Sequence, residues 1–198
     1  MFILKKYKMF IYLGFFLRLC IAFWNGFYGP SLGADLDAQG LYNYAVEVSQ
    51  GLNFQSFTIG YVPYINILGI IFFYTVPSLF LGSLISCIFW LISAYYLMKI
   101  LDLCEVSSKN KYLAAMIYAF LPSSILFTSV TLREPYQLFF MTLTIYFALS
   151  IWLRGGIYKF IPLIIFVLCN AVLHGALLIS GLLILCLTIA LYISRSNR

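Results

Sequence analysis

Six charged side chains stand where the surrounding sequence gives them no routine role, namely Arg18, Asp35, Asp37, Glu47, Arg133 and Glu134. Asp35 and Asp37 close the run Gly29-Pro30-Ser31-Leu32-Gly33-Ala34-Asp35-Leu36-Asp37, a string of turn formers ending in two carboxylates two positions apart. A carboxylate so placed can take the proton of an attacking hydroxyl. Hard oxygen ligands at this spacing can also share a divalent metal ion, the one cofactor the motif suggests. The plainer role is to cap the helix that follows, which would occupy one aspartate and leave the other free. Arg133 and Glu134 lie in Leu132-Arg133-Glu134-Pro135, a turn between two apolar runs, with Pro135 opening the second as a first-turn proline can. The pair could neutralise itself at the membrane boundary. Alternatively Arg133 could bind an anionic head group such as a lipid phosphate, which a planar, permanently charged guanidinium suits. Arg18 falls mid-way along an apolar run and calls for an acidic or carbonyl partner inside the protein. His174, the single histidine, sits beside Gly175 in a break between apolar stretches, as a polar turn residue or a site residue. The sequence has no HExxH, no Walker A loop and no Ser/His/Asp spacing.

The elements that must hold these residues follow from composition. Of 198 residues, 64% are hydrophobic and only 9% are charged, against roughly 25% in an average soluble domain. Mean hydropathy is +1.01. The chain is therefore an integral membrane protein, which excludes a soluble enzyme, a nucleic-acid binder, a disordered chain and a secreted disulfide scaffold together. Its net charge of +6 needs no nucleic-acid partner. The five cysteines are an odd number with no CxxC pattern, and all but Cys104 lie in apolar runs as small hydrophobes. Met1 to Trp24 resembles a signal peptide, but Arg18 interrupts it and no A-x-A site follows, so it reads as an uncleaved first span.

About twenty apolar residues cross a bilayer. The reading is an all-α, polytopic helix bundle in one domain, with spans near 9–28, 80–101, 112–130, 135–153, 160–173 and 176–193. The segment 61–79, bracketed by Pro63 and Pro77, is assigned as an interfacial or re-entrant helix. The loop 29–60 carries a short amphipathic helix in which Leu41, Ala45 and Val48 recur at helical spacing and Gly51 is the expected C-cap. Charge placement selects six spans, because basic residues flanking short loops stay cytoplasmic. If 61–79 does not cross, ten of the twelve basic residues share the cytoplasmic side with the N-terminus, and the loop 29–60 is exoplasmic.

The sequence of features, an outer Asp37-Ala38 with Ala45 and Gly51, then Val62-Pro63-Tyr64, then Pro122-Ser123-Ser124 through Leu132-Arg133-Glu134-Pro135, resembles the N-terminal membrane module of the GT-C superfamily. Members are polyprenyl-phosphate-sugar-dependent glycosyltransferases, among them protein O-mannosyltransferases and lipid A aminoarabinose transferases. The resemblance implies that Asp37, or Asp35, is the active-site base or metal-associated carboxylate, that Glu134 is a second catalytic carboxylate, and that Arg133 holds the donor phosphate. Where the family often has a tyrosine four residues after the loop acid this chain has Leu41, with Tyr42 one position later as the substrate-binding candidate. Arg18 and His174 complete that candidate set. The implied partners are a polyprenyl-phosphate sugar and membrane lipids, in surface polysaccharide or glycolipid assembly at the plasma (inner) membrane. Family members usually continue with further spans, so the resemblance is to a module. Two other readings fit the same residues: a non-enzymatic accessory, lipid-linked-sugar binder or flippase component working with a partner subunit, and a polysaccharide repeat-unit polymerase.

Overall fold

The computed structural model describes residues 3–29, 35–56 and 58–196. Among these the regular structure is entirely helical: α1 (Ile3–Phe27), α2 (Asp35–Ser49), α3 (Val62–Tyr74), α4 (Leu79–Leu103), α5 (Ser108–Phe120), α6 (Pro122–Thr128), α7 (Glu134–Arg154), a 3-10 turn (Ile157–Lys159), α8 (Phe160–Leu173) and α9 (Gly175–Ser196). The protein is an all-helical, multi-pass membrane bundle. Four helices are long and apolar enough to cross alone: α1 over Tyr7–Phe27, α4, α7, and α9 over Gly175–Arg195. Large apolar side chains cover the outside of the bundle, such as Ile179 (74% exposed) and Phe16 (62%). Such a surface suits hydrocarbon and would be a liability in water.

The remaining apolar helices are shorter or bent. The stretch expected as one span at 112–130 is two helices, α5 and α6, that meet at 54° around Leu121-Pro122. Pro122 has no N–H to donate and disfavours helical geometry at the residue before it. Leu121 is accordingly extended, with ψ 116°. α8 has 14 residues and, with its 3-10 turn, forms the shorter apolar stretch Ile157–Leu173. α3 has 13 residues, or about 20 Å. Gly60, just before α3, donates its N–H to Val172 O at 2.9 Å, near the end of α8. After α3, Leu79 O accepts from Thr131 Oγ1 at 3.2 Å at the start of α4. Both ends of α3 thus lie at the same end of the bundle.

Contacts between helices set their directions. α1 runs antiparallel to α4, with Asn25 Nδ2 donating to Ser83 Oγ (3.2 Å) and Arg18 over Trp90. α4 runs parallel to α7 through Ser93–Thr142 (2.9 Å) and Tyr96 edge-on to Tyr146. α7 and α8 are antiparallel: Asn170 meets Thr144 (3.5 Å), while Lys159 Nζ donates to Ser150 O (3.4 Å). The result sorts the charges. Lys8, Lys99, Asp102, Lys111, Arg154, Lys159 and Arg195 gather at one end, where Lys111 pairs with Asp102 at 2.6 Å and Arg195 donates to Trp152 O at 2.7 Å. Asp37, Arg133, Glu134 and His174 lie at the other.

Arg18 holds the centre. It is fully buried, and its guanidinium makes four hydrogen bonds: Nε to Thr128 Oγ1 (2.7 Å), one Nη1 to both Gly14 O and Ala119 O (2.9 Å each), and Nη2 to Ser124 Oγ (3.1 Å). These partners are carbonyls and hydroxyls, with no carboxylate among the described residues. Ala119 O is one of the carbonyls that the break at Pro122 deprives of a helical N–H, so Arg18 supplies the missing donor. Its Cζ also lies 3.6 Å from the Trp90 ring centre, and Trp90 stacks on Tyr118. Tyr118 OH in turn meets Ser93 Oγ at 2.7 Å. Gly14 permits the approach: a Cβ there would lie 2.9 Å from Ala119 Cβ.

Replacing Arg18 by Met should strand the Ala119 carbonyl and the Ser124 hydroxyl, lowering stability by about 2–4 kcal/mol. Arg18→Lys, which keeps charge but loses the planar fork, should fall between the two. Unfolding of purified protein in detergent, followed by tryptophan fluorescence, measures the order wild type, Lys, Met.

Candidate functional site

At the end opposite the basic one, α2, the start of α3 and the segment leading into α7 enclose a cleft of about 240 Å³. Its lining includes Asp37, Gly40 and Tyr44 from α2, Tyr61 before α3, and Arg133 and Glu134 at the start of α7. Three charged residues from two distant parts of the sequence thus line one cleft. The elements that bring them together are each anchored by ordinary packing.

α2 is held on two sides. Ala38 is buried against Val130 and Leu132, the loop ahead of α7. Ala45 and Val48 are buried on α3, where Gly69 lets the helices touch: a Cβ at Gly69 would lie 2.5 Å from Val48 Cγ1. These contacts leave Asp37, Gly40, Leu41 and Tyr44, at i, i+3, i+4 and i+7, as the face that lines the cleft. The helix already includes Asp35, so Asp37 lies within the first turn and is not its N-cap. There a carboxylate still complements the helix dipole. The left-handed residue after α2 is Leu52 (φ 52°), not the expected Gly51. Here Phe54 N–H bonds back to Leu52 O, so the reversal falls one residue beyond the glycine.

The loop 129–133 is as firmly placed as a helix. Val130, Thr131 and Leu132 are buried. Thr131 Oγ1 bonds Leu79 O and sits 3.3 Å from Ser83 Oγ, packed where a Cβ on Gly82 would be 2.7 Å away. Arg133 and Glu134 project from this support. Arg133 Nη1 donates to Leu173 O at 3.5 Å, an oxygen it shares with Gln137 Nε2, and faces Gly60, whose φ of +131° requires glycine. Arg133 Nε and Glu134 Oε1 are 4.0 Å apart, too far for a bidentate fork, so the guanidinium keeps donors for another anion. Glu134 Oε2 is shielded from solvent and makes no hydrogen bond among the described residues.

Glu134 has a second setting. It also lines an apolar groove of about 620 Å³ on the side of the bundle, walled by Leu97, Ile117, Leu121, Phe127 and Leu138. Glu134 therefore borders both the charged cleft and the apolar groove. Tyr44 and Tyr61, whose rings are near parallel with centroids 6.5 Å apart, add a flat aromatic wall to the cleft.

The other expected site residues fall elsewhere. Tyr42 packs edge-on against Phe72 in the α2–α3 core. The tyrosine that α2 contributes to the cleft is Tyr44, which the i+7 spacing from Asp37 could have picked out. His174 is exposed between α8 and α9, where its Nδ1 accepts the Ala176 N–H at 3.3 Å and so caps α9. Arg18 is committed to the bundle centre. The Asp35 side chain lies outside the described residues. Among the described residues no group of three or more His, Cys, Asp or Glu is disposed to hold a metal ion.

The chain matches no family model, no curated protein and no solved structure.

Two glycines test the geometry in opposite directions. Gly40 has open space where a Cβ would stand, so Gly40→Ala should raise helix stability by about 0.5–1 kcal/mol. Gly69→Val should separate α2 from α3 and cost about 1–3 kcal/mol. Thermal unfolding of both variants in one detergent gives the comparison.

Proposed function

We propose that this chain is a membrane glycosyltransferase, or a module of one, that moves a sugar from a polyprenyl-phosphate donor to an exoplasmic acceptor in surface polysaccharide or glycolipid assembly. The observation that carries the proposal is the position of Glu134, which borders both the charged cleft, where Arg133 stands beside it, and the apolar groove. A lipid-linked sugar has this same division, with an apolar chain, an anionic phosphate and a polar sugar in series. In this reading the polyprenyl chain lies along Ile117, Phe127 and Leu138, the phosphate meets Arg133, and the sugar enters the cleft beside Tyr44 and Tyr61.

The chemistry then needs two groups. Asp37 accepts the proton of the acceptor hydroxyl as its oxygen bonds to the anomeric carbon. The bond from that carbon to the phosphate oxygen breaks, and the electron pair leaves with the polyprenyl phosphate. Arg133 stabilises the charge that grows there. Glu134, 4.0 Å from Arg133 Nε, orients the guanidinium and faces the transferring sugar. The same reading puts the protein in the plasma membrane, with the basic end and the N-terminus in the cytoplasm by the positive-inside rule.

Transfer of radiolabelled sugar from polyprenyl-phosphate donor, in membranes carrying the full chain, tests the roles. Asp37→Asn and Glu134→Gln should each lower the rate by about 100-fold or more, with donor still bound. Unchanged transfer in both variants would remove the assignment. Wild-type protein that binds the donor without transferring sugar would instead be a lipid-linked-sugar carrier or accessory.

Orientation has a separate test. Cys104, exposed at the turn after α4, is at the basic end, while the exposed Cys20 and Cys186 lie in spans. A membrane-impermeant maleimide should label Cys104 only after the cells are opened. Labelling in intact cells would reverse the topology.

A further inference from the structure

The basic end has a concave site of its own, far from the cleft. Between α1 and α4 lies a cavity of about 440 Å³ lined by Tyr7, Lys8, Tyr12, Tyr95, Lys99 and Asp102, among others. Two of its three charges are cations without a carboxylate partner among the described residues. The carboxylate of Asp102 is taken by Lys111 from α5 at 2.6 Å. Lys99 Nζ rests 5.4 Å from the Tyr95 ring centre, and Lys8 comes from the other wall. Tyr7, Tyr12 and Tyr95 line the same recess. An anion the size of a phosphate would therefore have two lysines and three tyrosines around it.

The recess continues into apolar surface. Lys8 and Tyr12 also border an open groove of about 580 Å³ along α1, completed by Met9, Leu13 and Phe16. Each of these three is exposed, and the groove has almost no polar lining. A soluble phosphate would use the cations and leave this groove empty. A phospholipid uses both, because its phosphate sits at the membrane boundary and its acyl chain descends beside it. Basic pockets between membrane helices at a leaflet surface recognise anionic head groups in this way.

We propose that the cleft between α1 and α4 binds an anionic phospholipid, with Lys8 and Lys99 on the head-group phosphate and an acyl chain along Met9, Leu13 and Phe16. The site sits at the opposite end from the Asp37–Glu134 cleft and does not depend on the transferase reading. It gives a local role to two of the lysines that the topology rule counts only by side.

Native mass spectrometry of the delipidated full chain, titrated with phosphatidylglycerol or phosphatidylcholine, tests the proposal. The anionic lipid should be retained preferentially, and Lys8→Gln and Lys99→Gln should each weaken it about fivefold. Lys109→Gln, an exposed basic residue outside the cavity, should leave it unchanged. Leu13→Ser should weaken lipid binding with both lysines intact. Equal retention of the two lipids would overturn the site. An effect of Lys109→Gln as large as that of Lys99→Gln would do the same, since it would make the preference a diffuse property of the basic end. Competition by glycerol 3-phosphate at concentrations comparable to the lipid would show a soluble-phosphate site and overturn the lipid assignment. Lys8 and Lys99 are exposed, so their substitution leaves the bundle folded.

Discussion

A guanidinium buried at the middle of a membrane helix is the constraint on which the rest of this bundle depends. Placing Arg18 in α1 costs about 3 kcal/mol on insertion scales. Interhelical hydrogen bonds in membranes return about 1 kcal/mol each, so the three that Arg18 makes to α5 and α6 are about enough to cover it. They do so only if α1, α5 and α6 keep one arrangement. Any sliding of α5 removes the Ala119 carbonyl, and any straightening at Pro122 returns that carbonyl to its own helix. The charge therefore does more than tolerate the bend between α5 and α6. It requires it.

The bend has a consequence at the far end of the bundle. Because α6 leaves α5 at 54°, the chain after Thr128 passes inward over the start of α4, where Thr131 locks onto Leu79 and Ser83. A straight helix over 112–130 would have carried the loop outward. Buried Val130 and Leu132 then serve as a seat for Ala38 of α2. Thus one interaction at the centre positions the residue pair Arg133-Glu134 from below and Asp37 from the side. α3 completes the support by returning to the end it left, so that α2 has a surface to lie on.

Much of this is legible from residue patterns, and the parts that are not have physical reasons. Long apolar runs identify α1, α4, α7 and α9 because crossing a membrane depends on local composition alone. The break at Pro122 is also visible as a proline, but within an apolar run of spanning length hydropathy outweighs it. What no local rule supplies is the partner of Arg18, since hydroxyls and an orphaned carbonyl have no sequence signature comparable to a carboxylate. The cleft shows the same divide. Asp37, Arg133 and Glu134 are conspicuous as charges in apolar surroundings, whereas Tyr44 and Tyr61 are hidden among sixteen tyrosines. Tyr42 is favoured by its distance in sequence from Asp37, yet helix phase turns it into the α2–α3 core.

The distribution of hydrogen bonds separates scaffold from cleft. Around Arg18 the buried Ser93, Thr128 and Thr142 hydroxyls are all bonded, as expected where an unpaired polar group in hydrocarbon is expensive. The buried side-chain atoms without a partner among the described residues are Trp90 Nε1, Tyr64 OH and Glu134 Oε2. Trp90 is explained by the centre itself, because stacking between Arg18 and Tyr118 fixes the ring and leaves its N–H no choice of direction. Tyr64 packs on Tyr136, two residues from Glu134 in sequence, so the other two atoms both lie near the head of α7. Folding alone would favour apolar residues at these places. Their presence near the head of α7 argues that the polarity there serves something other than stability, and that the rigid staple at Arg18 is what lets the bundle carry it.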